Sequence, residues 1–241
     1  MAEKIVVASG KGGVGKSTCA AGIATALGQL GKKVLLCDFD VSLPSLDVIF
    51  GVGNEVVYNW GDILLSRCEK EEALMEKDGV FLLCAPKKDE DLTSEKLHEM
   101  IKSFDEDFDF ILIDAPAGVG KFFEAAVKCA DRGIVVSNPE DVCVRSSGVA
   151  AERMRSLGIS DVRLVINKMI TKLSAGKKNL NIDSVIDETK VRLIGVVPFD
   201  REIALVSMGK NGFSLKKKPQ RSFERIARRI MGEEVRLKFI S

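Results

Sequence analysis

At 241 residues the chain suits one α/β domain of generous size, and 46% apolar residues are enough to bury a full sheet between helix layers. Its 36 basic and 35 acidic side chains balance, which argues against a dominant nucleic-acid-binding field, though not against a local basic patch. No apolar run approaches the roughly 18 residues of a membrane span, and Met1-Ala2-Glu3-Lys4 leads into a strand without the apolar core of a secretion signal.

The first expected strand is Ile5, Val6 and Val7, followed by Ser-Gly-Lys-Gly-Gly-Val-Gly-Lys-Ser-Thr from Ser9 to Thr18. Gly10, four residues, then Gly15-Lys16-Ser17 fits the phosphate-loop spacing. Ala20, Ile23, Ala24 and Leu27 recur at i, i+3, i+4 and i+7, one face of a helix. Strand, glycine loop and helix thus come in the order that lets backbone N–H groups converge on phosphate oxygens, with the helix N-terminus adding its dipole. In that arrangement Lys16 meets the β- and γ-phosphates, and Ser17 holds Mg²⁺ through its hydroxyl.

The second strand, residues 33–37, ends in Asp38-Phe39-Asp40. Alternation puts both carboxylates on one side at the carboxyl end of a buried strand, the edge where open parallel sheets bind ligands. Two carboxylates there are costly unless a metal, water or lysine meets them. Residues 41–51 run as a loop into a short helix. A helix over 58–66 carries Trp60, Ile63 and Leu64, the charged run 69–77 reads as a solvated helix face, and 80–85 is the third strand, closed by Pro86. A helix over 92–104 aligns Leu97, Ile101 and Phe104; His98, the sole histidine, lies in it among charged neighbours, with no catalytic or metal role expected.

Residues 110–114 form a central strand ending in Asp114, followed by Ala115-Pro116-Ala117-Gly118. A carboxylate in that place orients a Mg²⁺-bound water beside the phosphate loop. Strands at 133–137, 162–166 and 191–197 follow, with a helix over 142–157 after the first of them. The strand at 162–166 delivers Asn167-Lys168. Guanine-binding proteins carry N-K-x-D here, but Ile170 stands in the aspartate position, so a base pocket with Asn167 favours adenine. The last strand runs into Pro198-Phe199-Asp200. A polar loop covers 172–181, and the remainder is helical over 201–208 and 222–231. Seven buried-type strands alternating with helices predict a three-layer, doubly wound α/β fold, a mostly parallel seven-stranded sheet with helices on both faces, in a single domain spanning 1–241.

Six cysteines (Cys19, Cys37, Cys68, Cys84, Cys129 and Cys143) are scattered without a C-x-x-C pair, which fits a reduced cytoplasm with buried thiols.

Across these motifs the chain resembles the MinD/ParA family of deviant Walker A P-loop ATPases. K-G-G-V-G-K-S-T matches the family's loop, D-F-D with residues 41–51 its first switch, and D-A-P-A-G its second. Segments 138–141, 167–168 and 198–200 extend the likeness over essentially the whole chain. The resemblance implies an ATP- and Mg²⁺-dependent switch in which two subunits close face to face over their nucleotides and hydrolysis opens them. It implies a phosphate cradle of Gly10, Lys11, Gly12, Gly13, Val14, Gly15, Lys16, Ser17 and Thr18, with Thr18 at the α-phosphate. Asn167, Pro198 and Asp200 would lie beside the base. Lys11 would reach the partner's nucleotide, Asp40 would orient the attacking water, and Asp38 would stand near the metal or that water. Ser17, Asp38 and, through water, Asp114 would hold Mg²⁺.

Division-site members of the family recruit an inhibitor of the division ring (MinC-like) and answer to an activating partner, and the resemblance implies both here. DNA-partitioning and flagellar-placement relatives share the chemistry and differ in surface; the even charge balance argues against DNA. A metabolic ligase of this fold would want a second polar pocket, and an iron–sulfur carrier paired cysteines; the sequence shows neither. Members that patrol the membrane carry a basic amphipathic C-terminal helix. Here residues 232–241 are a short tail in which Val235, Leu237 and Phe239 alternate like a strand, a poor anchor; either the helix is absent or the chain was shortened. Lys216-Lys217-Lys218 before Pro219 reads as a solubilising surface loop. The expected location is the cytoplasm, with a peripheral seat on the inner face of the cell membrane left open.

Overall fold

Apolar runs without alternation belong to strands covered on both faces, and such runs make up most of the sheet. The computed structural model describes residues 1–87, 93–170, 181–201, 203 and 217–237. Among these, eight strands form one sheet: β1 (Glu3–Ala8), β2 (Val34–Asp38), β3 (Leu74–Lys77), β4 (Val80–Leu83), β5 (Phe110–Asp114), β6 (Arg132–Ser137), β7 (Val162–Met169) and β8 (Arg192–Pro198). Their spatial order is β3-β4-β2-β5-β1-β6-β7-β8. Every pairing is parallel except β3 with β4. The chain winds outward from β1 to one side and later to the other. The crevice at the carboxyl ends of β1 and its neighbours is therefore the switch point where such sheets take ligands.

The eighth strand corrects the seven expected. The charged run 69–77 is not a helix face: Leu74–Lys77 pairs antiparallel with β4, with Lys77 opposite Val80. Asp78 and Gly79 join them with φ of 52° and 76°, the two-residue hairpin turn that Asp-Gly favours. Its charges stand on an edge strand, where they discourage pairing with another chain.

The described helices are α1 (Lys16–Gln29), α2 (Leu46–Phe50), α3 (Trp60–Leu64), α4 (Ser94–Lys102), α5 (Lys121–Lys128), α6 (Asp141–Ser156), α7 (Ile182–Thr189) and α8 (Lys217–Ile230). α5 and α7 were not anticipated. α3 and α4 each begin two residues later than expected because Asn59 and Thr93 cap their first turns. Lys217 and Lys218 open α8 rather than lying in a loop, and Pro219 is tolerated there because first-turn N–H groups have no helical partner. Residues 233–237 form no strand. The polar loop at 172–180, the helix expected at 204–208, Lys216 and residues 238–241 lie outside the described residues.

Two apolar layers sandwich the sheet. On one face Leu97, Ile101 and Phe104 of the α4 region, Phe123 of α5, and Val144 and Met154 of α6 pack on Leu35, Ile111 and Val135. On the other, Ile23 and Leu27 of α1 meet Phe223 and Ile226 of α8 over Leu36 and Leu112. Both faces of β1, β2 and β5 are thus covered, and their carboxyl ends deliver the loop after Ala8, Asp38 and Asp114 to one crevice. Five of the six cysteines are buried, Cys68 being the half-buried one.

Candidate phosphate-binding site

β1 ends at Ala8 and α1 begins at Lys16, so residues 9–15 arch between them. Two glycines are required by close approach. A Cβ on Gly10 would stand 1.9 Å from the Ser146 carbonyl oxygen on α6, and one on Gly15 would stand 2.4 Å from Asn167 Nδ2, at a φ of 88°. Gly15 is also the N-cap of α1, whose unsatisfied first-turn N–H groups face the arch. Val14 anchors the arch from below, buried with the core of the α1 face.

The arch opens on a cavity of about 640 Å³, lined by Gly12, Gly13, Gly15, Lys16, Ser17 and Thr18 on one side. Asp40, Asn167, Lys168, Pro198, Phe199 and Asp200 line the other parts. That volume suits a nucleotide-sized ligand. Of the residues singled out from the sequence, Gly10, Lys11, Val14, Asp38 and Asp114 stand outside this lining. Gly10 lies against α6, Val14 in the core, and Lys11 is exposed, its carbonyl accepting from the Ser9 hydroxyl at 3.0 Å.

A buried ion pair sits beneath the cavity. The Lys16 ammonium donates to Asp114 Oδ1 at 2.6 Å and to Ser17 Oγ at 3.2 Å. Lys16 is 7% exposed and the Asp114 carboxylate 0%. Burial pushes Asp114 above the ordinary carboxylate range, while Lys16 and the Ser17 hydroxyl pull it back. Asp114 Oδ2 is buried with no hydrogen-bond partner. An orphaned carboxylate oxygen beside a serine hydroxyl is the hard-oxygen chemistry that Mg²⁺ takes, directly or through water, so the residues fit that ion. Among the described residues no group of three or more His, Cys, Asp or Glu could hold a metal unaided, and Mg²⁺ at nucleotide sites leans on phosphate oxygens for its remaining ligands.

The two switch aspartates part company. Asp38 pairs in register with Asp114 across β2 and β5, and burial followed by that neighbouring carboxylate raises it to about 7. Its Oδ1 accepts from the Asp40 N–H at 2.9 Å, and its Oδ2 from Ser45 at 2.9 Å and Leu46 at 3.1 Å. The Asp38 carbonyl in turn accepts from the indole of buried Trp60 at 2.7 Å. Asp38 therefore shapes the loop, and Asp40, at the cavity wall with Oδ1 accepting from Leu43 N–H at 3.1 Å, faces the space a ligand would fill. Asn167 does not simply await a base: its Nδ2 donates to the Val14 carbonyl at 2.8 Å. The adjoining Lys168, Trp60 and Phe199 carry contacts that sequence reasoning did not assign. Lys168 had a signal in its place beside Asn167, and Phe199 in its place between Pro198 and Asp200; Trp60 had none.

The family model described as ParA, NUBPL iron-transfer P-loop NTPase, matches residues 1–233. The septum site-determining protein MinD of Bacillus subtilis (strain 168) is 35% identical over 253 residues, covering 100% of this chain and 93% of that protein. The MinC:MinD cell division protein complex of Aquifex aeolicus superposes with a TM-score of 0.87 at 32% identity, over 99% of each chain. MinD complexed with Mg-ADP from Pyrococcus horikoshii OT3 gives 0.81 at 28% identity, over 95% of this chain and 96% of that one. The chain belongs to the MinD/ParA family of P-loop ATPases.

Proposed function

We propose that the chain is a MinD-type switch of the cell-division machinery. Mg-ATP closes two copies face to face, the closed pair recruits a MinC-like inhibitor of division, and hydrolysis prompted by an activating partner opens it. The observation that carries this is the glycine arch backed by the buried Lys16–Asp114 pair, with Asp40 on the cavity wall. The likeness to MinD over the whole chain and to the MinD subunit of a MinC:MinD complex supports the partner.

The chemistry is positioning and charge neutralisation. Amides of residues 10–15 and the first turn of α1 grip the phosphates. Lys16 trades Asp114 for the β- and γ-phosphates, and Thr18 meets the α-phosphate. Ser17 and, through water, Asp114 would hold Mg²⁺, which would supply further positive charge at the phosphates. Asp40 orients the attacking water, and Asp38 holds the loop that carries Asp40. Exposed Lys11 crosses to the partner copy's nucleotide. Pro198, Asp200 and the remaining face of Asn167 border the base. The switch acts in the cytoplasm, with a peripheral seat on the inner face of the cell membrane left open. Among the described residues no helix is long and apolar enough to cross a membrane.

The test is Asp40→Ala. It should bind Mg-ATP yet release phosphate about a hundredfold more slowly, the usual weight of a positioned acid–base group. Unchanged turnover would show that another group handles the water and would overturn the assignment.

A further inference from the structure

The edge of the cavity formed by the end of β7 holds an unassigned device. β7 loses its register with β8 between Ile166 and Met169, and the two residues released there are Asn167 and Lys168. Lys168 takes a φ of 55°, a left-handed conformation that an ordinary side chain adopts only at a cost. In return its ammonium reaches the Gly13 carbonyl at 2.7 Å, next to the Val14 carbonyl that Asn167 holds at 2.8 Å. One irregularity in a strand thus grips two consecutive carbonyls 153 to 155 residues earlier in the chain.

From this geometry we infer that Lys168 is a positioning residue for the phosphate loop, and that its hold on the Gly13 carbonyl sets how long nucleotide stays bound. Each peptide is planar and trans, so its C=O and the following N–H point in opposite directions. With the carbonyls of Gly13 and Val14 drawn toward β7, the N–H groups of Val14 and Gly15 are turned the other way, into the arch where phosphate oxygens are proposed to lie. Gly15 permits the arrangement, since a Cβ there would strike the Asn167 amide. The two grips differ in character. Asn167 is 4% exposed and fixed, whereas Lys168 is exposed at the cavity rim, so its bond to Gly13 opens and closes without unpacking the core. A charged donor on a backbone carbonyl is among the stronger hydrogen bonds, and this one acts on the arch itself. Without this role, the lysine is a solvated rim side chain on a strand-end bulge.

The inference rests on the ATP reading of the site, and the experiment separates the two. Lys168→Asn keeps a residue tolerant of the left-handed backbone but too short to reach Gly13; Lys168→Arg keeps a long cationic donor. Dissociation of a fluorescent ADP analogue would be followed by stopped flow, beside the ATPase kcat and KM and the melting temperature without nucleotide. Lys168→Asn should release the analogue about tenfold faster, as expected for loss of a charge-assisted hydrogen bond. It should also raise KM with kcat within twofold, and melt no lower than the natural chain. Lys168→Arg should return the release rate to near its natural value. Unchanged release in Lys168→Asn, or failure of Lys168→Arg to restore it, would overturn the clamp. If the natural chain itself fails to bind the analogue, the phosphate-loop reading falls and the clamp with it.

Discussion

Replacing Lys16 tests the buried pair directly, without nucleotide. Lys16 and Asp114 are 7% and 0% exposed and meet at 2.6 Å, so Lys16→Met leaves a carboxylate in the interior with only the Ser17 hydroxyl beside it. Breaking such a pair from one side costs about 3–5 kcal/mol. For a domain of this size each kcal/mol is worth about 2–4 °C, so the melting temperature should fall by roughly 6–20 °C. Asp114, already raised by burial, will take up a proton more easily once the cation is gone, so the penalty should shrink as pH falls. Urea unfolding of Lys16→Met, Asp114→Asn and the double variant closes a thermodynamic cycle. The two residues should couple by about 2 kcal/mol or more, the double variant being little worse than Lys16→Met. Additivity within about 0.5 kcal/mol, the behaviour of independent sites, would refute the pair as an energetic unit.

Gly10→Ala places a methyl 1.9 Å from the backbone of α6, which no rotamer can relieve. It should destabilise the fold by about 1–3 kcal/mol and abolish ATP binding by calorimetry; near-normal values of both would show that the arch is not held against α6. Asp38 gives a pH dependence of definite sign. Its folded value of about 7 exceeds its ordinary 3.8, so the folded chain binds the extra proton and stability should fall as pH rises from about 4 to about 7, then level off. The full swing is on the order of 4 kcal/mol, visible in the urea midpoint. Asp38→Asn should flatten much of that slope, and an undiminished slope would assign it to other groups.

What the sequence disclosed follows from how local each cause is. The phosphate arch was legible because phosphate oxygens dictate glycines and a lysine within ten residues, and β1, β2 and β5 because strands buried on both faces must be apolar throughout. β3 was hidden since Leu-Met-Glu-Lys is half-exposed and carries charge, although Asp78-Gly79 announced the hairpin. Helices α5 and α7 span only eight residues each, too short for a periodic stripe to declare itself. Alternation sets Asp38 and Asp40 side by side because it assumes that the strand continues, whereas β2 ends at Asp38. The chain bends instead, and Asp38 turns to the N–H groups of residues 40, 45 and 46. Asn167 was expected at a base, yet its amide nitrogen is given to a carbonyl 153 residues away, a contact no local pattern encodes.

The central claim is that the nucleotide's terminal phosphate governs whether two copies associate. It is tested most directly by light scattering of Asp40→Ala, in which hydrolysis should be slowed, with Mg-ATP and with Mg-ADP. The account predicts twice the 26.3 kDa chain mass with Mg-ATP and a single chain with Mg-ADP. It also predicts a single chain in both when Lys11 is additionally replaced by alanine. Saturation with Mg-ATP, confirmed by calorimetry, that leaves Asp40→Ala at the mass of one chain would contradict it.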